Sequence, residues 1–503
     1  MRVRIGNLRL LANTQHLNVR KTRAYSSFSK ANDPRALFAP PAFPSKFTIR
    51  VPPGTSKHHI LNELGKLDIV TSKEALDQNG AILLVSKEFT NWLEDESFLQ
   101  SFVEILAKQN RPQSIDLLSG VVDGISSLSG RPSSPGLTIL CGENERLLPQ
   151  LWEQNFTASE ASITHSPPCI TFSGNTPDLN TEHVEVSLPL ADTTFQNGNP
   201  STLVASSWKI SPNGSSSLCK KAAKITQRID VRNIEGDCSS NTTIPLLALT
   251  PPRKIIASLG NIIRQVEIDG VATPASRELE IIIPRLLQKR EKKNPGVTAE
   301  SMPVWCWVIP PEIMAALKSK FEDLQIFSAV SFDREKMILE LSRSLFSTLL
   351  ASGCRLHRIT SGGGGWGLKK SLLSIDPETS FTKADPEDEF EMFVKSFEDR
   401  DSASPRNGLA TPGSFLLFCT ESKHRMTFKS RRRTSSVGVA LKADPSEEDL
   451  NWRFYPNHFG VVSERGMAIK SISTPKWVLG KGWFEGGIAT KVDVPGARWS
   501  ICR

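Results

Sequence analysis

The sequence predicts a mixed α/β fold, with α+β as the alternative arrangement, and a β-rich C-terminal part. Strand-like apolar runs alternate with amphipathic helical patterns in residues 46–150 and again in 246–378, which is typical of layered strand–helix packing. Short apolar runs separated by Gly-rich turns dominate residues 413–503. The 503-residue chain is 39% hydrophobic and 23% charged, a globular composition with room for several domains.

Residues 1–25 have the composition of a mitochondrial presequence. They are rich in apolar and basic residues, and the first acid is Asp33. Without their six basic residues the formal net charge falls from +8 to +2. A secretory signal needs an unbroken apolar core of about 7–15 residues, which Arg9 interrupts. The sequence predicts a mitochondrial protein, most directly of the matrix, cleaved after Tyr25; the alternative is a basic tail that is retained. Residues 26–45 read as a linker.

Residues 46–245 form the predicted N-terminal α/β region. The runs KFTIRV, AILLVS and GLTILCG predict strands, and residues 56–67, 72–78 and 95–109 predict helices. From residue 155 onward Ser, Thr, Asn, Gly and Pro dominate, which predicts a loop-rich β portion.

Residues 246–378 form a second predicted α/β region that ends in a glycine loop. IPLLAL, VWCWVI and CRLHRIT predict strands, and helices are predicted over 273–293, from Pro310 or Pro311, and over 333–351. Thr273 and Pro274 should begin the first of these helices, and Pro284 should kink or split it. Residues 379–412 predict an acidic amphipathic helix and a linker, before the β-rich region 413–503.

The glycine loop is the first candidate site. The run SGGGGWGLKKSLLSIDPE starts at Ser361, and if a helix follows the glycines, backbone N–H groups could face an anion with lysine support. The spacing departs from a P-loop, because Leu368 stands where the lysine belongs. A tight loop that packs Trp366 and a contact with a macromolecule remain as alternatives. The candidate anion ligands are Gly362, Gly363, Gly364, Gly365, Gly367, Lys369, Lys370 and Ser371.

This stretch, with its pattern SGGGGWG-x-K-x-x-LLS-x-DP, and the segment 249–280 resemble a family of uncharacterised fungal mitochondrial proteins. The resemblance covers most of the chain after residue 25. It implies a mitochondrial location and no particular activity.

A dense basic patch over residues 423–433 is the second candidate site. Its charges could contact RNA, a ribosome or the acidic surface of the inner membrane. A solvated loop, or one that pairs with the acidic segment 385–401, is the alternative. The candidate contact residues are Lys423, Arg425, Lys429, Arg431, Arg432 and Arg433.

Other chemistry-bearing residues form no recognised motif. The eight cysteines are scattered without a C-x-x-C, and the histidines and acids follow no metal-ligand spacing, so the sequence predicts no metal site and identifies no cofactor. His357 is the one histidine beside the glycine loop, where it is either a general base or a packed side chain. No apolar run approaches the roughly 18 residues of a membrane span, which predicts a soluble protein.

Three functions follow from these patterns. The first is a soluble accessory factor in mitochondrial gene expression or respiratory-complex assembly, without an evident catalytic motif. The second is an enzyme or binding protein that holds a phosphorylated small molecule at Gly362–Lys370. The third is a scaffold for a protein partner. Catalytic residues cannot be assigned from the sequence.

Overall fold

The computed structural model describes residues 45–66, 78–110, 112–126, 133–153, 167–174, 183–232, 239–293, 302–322, 335–362, 372–378, 381, 410–422, 452–472, 476–478, 482–484 and 488–502. All of them belong to one structural unit, Ala42–Arg503. The strands and helices of these residues form a strand-rich mixed α+β fold.

Polar side chains cap the first turns of α-helices Lys57–Gly65 and Glu96–Asn110. The Ser56 hydroxyl accepts a hydrogen bond from the His59 backbone N–H at 3.2 Å, and Asp95 accepts from the N–H groups of Ser97 and Phe98. A 3₁₀ helix spans Lys87–Trp92. The α-helices are α1 (Lys57–Gly65), α2 (Glu96–Asn110), α3 (Asn144–Leu147), α4 (Thr194–Asn197), α5 (Arg277–Lys293), α6 (Pro311–Ala316) and α7 (Glu335–Ala351).

Strands account for most of the regular structure. The strands of the N-terminal half are β1 (Lys46–Arg50), β2 (Gly80–Ser86), β3 (Ser114–Val122), β4 (Gly124–Ile125), β5 (Gly136–Gly142), β6 (Cys169–Gly174), β7 (His183–Pro189), β8 (Leu203–Ile210), β9 (Ser216–Ala223), β10 (Thr226–Asp230), β11 (Ser239–Thr243) and β12 (Leu246–Ala248). Those that follow are β13 (Arg253–Leu259), β14 (Ile262–Ile268), β15 (Val271–Pro274), β16 (Val304–Ile309), β17 (Arg355–Gly362), β18 (Leu373–Ile375), β19 (Phe415–Glu421), β20 (Arg453–Pro456), β21 (His458–Ser463), β22 (Met467–Ile472), β23 (Lys476–Val478), β24 (Gly482–Phe484), β25 (Ile488–Val492) and β26 (Ala497–Cys502).

A seven-stranded sheet in the order β20-β1-β5-β2-β3-β8-β9 divides two apolar cores. Because side chains alternate along a strand, Leu83 and Val85 of β2 pack toward α1 and α2, while Ile82 and Leu84 face the central core. Its β2–β3 pair is one of two parallel pairs among the described strands, the other being β6–β10.

The central core lies against two further sheets, β10-β6-β7-β22-β25 and β11-β26-β21-β4. Trp499 of β26 stacks on Phe172 of β6 with ring centroids 4.0 Å apart, and Phe459 of β21 meets both rings edge-on. These contacts join the C-terminal strands to the middle of the chain.

Six antiparallel strands close on themselves in the circuit β19-β13-β14-β18-β17-β16, with β12 and β15 paired outside it. Alternate residues of β16 pack into two different apolar cores. Cys306 and Val308 of β16 join the cluster shared with α5, whereas Trp305 and Trp307 face the central core and α7. The circuit is therefore a small barrel whose inner apolar cluster is covered by α5.

The predicted mixed fold with a β-rich C-terminal part is confirmed. Of the predicted elements, residues 72–77 of the helix 72–78 lie outside the described residues, as do residues 1–44. Helix α5 begins at Arg277, later than predicted, because Pro274 belongs to β15, where it pairs with Gln265. Pro284 lies inside α5 without splitting it. The sequence analysis missed β3 and the hairpins β13–β14–β15.

Strand pairing crosses the boundaries drawn from the sequence. Strands from residues 413–503 enter every one of these sheets: β20 pairs β1, β22 pairs β7, β26 pairs β11, and β19 pairs β12, β13 and β16. Among the described helices, none combines the length and the apolar composition that crossing a membrane requires.

Candidate functional site

The two strands that flank the glycine loop pair with each other. Strand β17 leads into it and β18 leaves it, with Ile359 opposite Ile375 and Gly362 opposite Leu373. Residues 363–371 lie outside the described residues, so of the candidate anion ligands the structure places Gly362 alone. The segment expected to continue as a helix after the loop is a strand from Leu373 to Ile375. Residues 368–371, where a helix after the glycines would begin, lie outside the described residues, so an anion site at the loop stays a prediction.

Gly362 has an architectural reason to lack a side chain. A Cβ built on it would lie 2.3 Å from Leu373 Cδ2. Leu373 is buried in the cluster beneath α5 and has little freedom to move away. Gly362 therefore allows the Leu373 side chain to enter the core across the hairpin.

His357 packs at the base of this hairpin. Its side chain is 2% exposed, and its Nδ1 lies 2.7 Å from the backbone carbonyl oxygen of Asp376. A carbonyl oxygen only accepts, so Nδ1 carries the proton. The imidazole thus ties β17 to the residue that follows β18, in agreement with the packed-side-chain alternative.

A group of charged side chains, which we call the Lys491 cluster, lies at the same base. Its members are Asp376, Glu378, Lys491 and Asp493. The Lys491 ammonium donates to Glu378 Oε2 at 2.6 Å and Asp376 Oδ2 at 3.2 Å. Its strand β25 also touches β17, where the Thr490 hydroxyl accepts from the Leu356 N–H.

Electrostatics keeps Lys491 charged. Burial alone would lower the pKa of Lys491, but the carboxylates of Glu378 and Asp376 together outweigh burial and raise it. Asp493 behaves differently. Burial raises the pKa of the Asp493 carboxyl, although Trp305 Nε1 donates to its Oδ1 at 2.8 Å.

This arrangement suits anchoring better than catalysis or anion binding. A lysine whose pKa is raised is neither a nucleophile nor a base near neutral pH. The Lys491 ammonium pairs with the carboxylates of Asp376 and Glu378, so it is not available to balance the charge of a phosphate. The cluster instead fastens the end of the hairpin to the sheet that contains β25.

The second candidate site cannot be placed. Residues 423–433, with all six candidate basic residues, and the acidic segment 385–401 lie outside the described residues. Within the described part of the chain, no three His, Cys, Asp or Glu side chains are grouped so that they could hold a metal ion. Burial raises the pKa of the Cys306 thiol to about 12, which keeps it protonated.

No protein-family model, curated protein or solved structure matches this chain.

The sequence analysis missed the Lys491 cluster because its members are far apart in the chain. Asp376 and Glu378 directly follow the short strand β18. Lys491 alternates with buried residues along β25. Both patterns are common in strands at a protein surface. Only the packing of β17 against β25 brings the opposite charges together.

Proposed function

We propose that the protein is a mitochondrial accessory factor that acts in mitochondrial gene expression or respiratory-complex assembly by binding a macromolecule. The observation that carries the proposal is the acid-free, arginine-rich composition of residues 1–25. The resemblance of the glycine loop and of residues 249–280 to fungal mitochondrial proteins supports the same location.

The ionisable groups around the hairpin support binding over catalysis. Lys491 is engaged by two carboxylates, His357 by a backbone carbonyl, and the Cys306 thiol is buried. These groups lie beside the strands that flank the predicted ligand loop, and their contacts are structural.

Import tests the location. The radiolabelled full-length precursor is incubated with isolated mitochondria, with and without a membrane potential. We expect a protease-protected product shortened by about 25 residues that forms only with the potential. The matched control replaces the six basic residues Arg2, Arg4, Arg9, Arg20, Lys21 and Arg23 by Gln. A precursor that stays outside, or that enters equally well without these charges, contradicts the proposal.

Gradient sedimentation of mitochondrial lysates then separates the two kinds of partner. Binding to RNA or a ribosome through basic residues weakens steeply with salt, because counterions compete for the phosphates. If Arg431, Arg432 and Arg433 carry that binding, their replacement by Gln abolishes it at low salt as well. Co-sedimentation with a respiratory-complex intermediate that survives high salt favours the assembly role.

A thermal-shift screen tests the phosphorylated-ligand alternative. The wild-type protein is compared with Gly364→Asp in the presence of nucleotides, dinucleotides, coenzyme A and sugar phosphates. A ligand at 100 times its Kd adds about 2.7 kcal/mol to stability. A shift in the wild type that a folded Gly364→Asp protein lacks would replace the accessory role by ligand binding.

A further inference from the structure

The turn between β7 and β8 carries an aromatic ring outside the fold. The Phe195 side chain, in the single-turn helix α4, is 95% exposed, against 63% for Val271, the next most exposed large apolar side chain of the described residues. Single exposed apolar residues are common on protein surfaces. The turn that carries Phe195 is held by two sets of side-chain hydrogen bonds.

One set of hydrogen bonds shapes the start of this turn. The Asp192 carboxylate accepts from the Thr194 backbone N–H at 3.0 Å and from the Thr194 hydroxyl at 2.7 Å. These two bonds lower the pKa of Asp192, so its carboxylate stays ionised well below neutral pH. The first turn of α4 is therefore fixed at its N-terminus.

A second set of hydrogen bonds joins the turn to the residues that follow it. The buried Thr193 hydroxyl donates to the Asn199 carbonyl at 2.8 Å and lies 2.9 Å from the Thr202 hydroxyl, which also accepts from the Asn197 amide at 2.9 Å. Gly198, with φ of +77°, ends the helix. The side chains of Asp192, Thr193, Thr194 and Asn197 form hydrogen bonds in or beside the turn, whereas those of Phe195 and Gln196 are exposed.

We infer that Phe195 is the anchor residue of a protein–protein interface and that it inserts into an apolar pocket of a protein partner. Large aromatic side chains supply much of the binding energy at protein interfaces. Because the backbone of the turn is already fixed by hydrogen bonds, binding has to order only the Phe195 side chain, so more of the apolar contact appears as affinity.

Charges around the turn favour a protein over a nucleic acid or an acidic membrane. Arg465 pairs with Asp192 at 3.9 Å. Lys87, in the 3₁₀ helix beside α4, pairs with Asp123 at 2.5 Å, and its neighbour Glu88 is exposed. Polyanions and acidic lipid surfaces require uncompensated cations. The described surroundings of Phe195 offer balanced charges instead, which suit a pocket with a polar, nearly neutral rim.

This inference deepens the proposed function, on which it rests, by naming the surface and the class of partner. The test begins with photo-cross-linking in cells that produce the full chain. Benzoylphenylalanine replaces Phe195 in one version and Asn213, in the exposed turn between β8 and β9, in the control. A polypeptide captured from position 195 and absent at position 213 is then purified, and its Kd is measured by calorimetry.

Three variants make the binding measurement decisive. Phe195→Ser should bind at least about 30-fold more weakly, with an unchanged melting temperature because the ring packs on nothing in the fold. Gln196→Ser, the matched control, should stay within about twofold. Thr202→Val keeps the ring but removes two bonds of the turn, and should weaken binding by roughly threefold to tenfold.

Several results overturn the inference. They are capture of the same polypeptides from both positions, capture of none, or equal affinity of wild type and Phe195→Ser. Phe195-dependent sedimentation with vesicles of phosphatidylcholine and cardiolipin would make the surface a membrane contact instead. If the protein is imported into mitochondria but has no Phe195-dependent partner, the interface is contradicted and the mitochondrial location stands. If it has such a partner but is not imported, the mitochondrial location is contradicted and the interface stands.

Discussion

At the scale of the residue, a buried histidine joins the two ends of the chain. His458 of β21 is 1% exposed, and its Nδ1 lies 3.0 Å from the hydroxyl of Thr48 in β1. The Thr48 hydroxyl also reaches the His458 carbonyl and the hydroxyl of Thr138. Each of these groups needs its partner, because a low-dielectric interior makes an unpaired polar group costly.

We expect this histidine to make stability depend on pH. Burial lowers the pKa of His458 to about 4, against about 6.5 in the unfolded chain. Below pH 6.5 the unfolded chain binds a proton at His458 that the folded protein does not bind. The free energy of unfolding therefore falls as the pH drops, by about 3 kcal/mol between pH 7 and pH 4. Urea unfolding of wild type and His458→Asn measures it. The variant should lose less stability over that interval, and equal losses would contradict the assignment.

Two buried serines differ in one respect only, which allows a matched prediction. Ser173 and Ser119 are both fully buried, but the Ser173 hydroxyl has no hydrogen-bond partner among the described residues, whereas Ser119 donates to the Val204 carbonyl at 3.2 Å. Ser173→Ala should leave the free energy of unfolding unchanged or raise it by up to about 1 kcal/mol, and Ser119→Ala should lower it by about 1 kcal/mol. Chemical denaturation checks both, and the reverse order would show that Ser173 is hydrogen-bonded.

At the scale of the element, the hairpin β17–β18 depends on Gly362. Gly362→Ala places a methyl group against the buried Leu373 and should cost roughly 1–3 kcal/mol of stability. Gly65→Ala, at the end of α1, has nothing within 4 Å and no positive φ, and should be neutral or stabilising by up to about 1 kcal/mol. Thermal unfolding separates the two. Equal changes in stability for the two variants would mean that the Leu373 side chain can move away from the added methyl group without cost.

The Lys491 cluster makes a second prediction about this hairpin. Lys491→Met leaves Asp376 and Glu378 without their cation, and we expect a loss of roughly 1–3 kcal/mol because the Lys491 and Asp376 side chains are mostly buried. The control is Lys318→Met, whose pair with Glu322 is exposed and 3.9 Å long, and which should change stability by less than about 0.5 kcal/mol. Proteolysis between residues 362 and 378 should also become faster in Lys491→Met alone. A Lys491→Met protein as stable as the control would make the cluster incidental.

Local pattern predicted most elements, and long-range pairing explains what it missed. The amphipathic run from Glu96 correctly predicted α2, and the apolar run AILLVS correctly predicted β2. The turn Asp269-Gly270, where both residues have positive φ, carried a hairpin signal that the sequence analysis overlooked. Pro274 looked like a helix start because nothing nearby in the sequence reveals its pairing with β14. The Lys491 cluster could not be predicted, since more than a hundred residues separate its charges.

At the scale of the whole molecule, the chain is closed by its last strands. Strand β26 lies between β11 and β21, and it supplies Trp499 to the central core against Phe172. Strand β20 forms the edge beside β1. Sheets that pair strands so distant in the sequence cannot be completed until the later strands are present, so folding depends on contacts of long sequence separation.

This closure predicts that a very short truncation prevents folding. Ending the chain after Gly496 removes β26, leaves both neighbouring strands unpaired and uncovers Phe172 and Phe459. Loss of the Trp499 side chain alone should cost about 3–5 kcal/mol, a large part of the stability of an ordinary domain. The truncated protein should therefore lack a cooperative thermal transition and be degraded rapidly by trypsin. Ending the chain after Cys502 keeps β26 and should leave both properties unchanged. A cooperative transition in the shorter chain would show that the sheets form without their last strand.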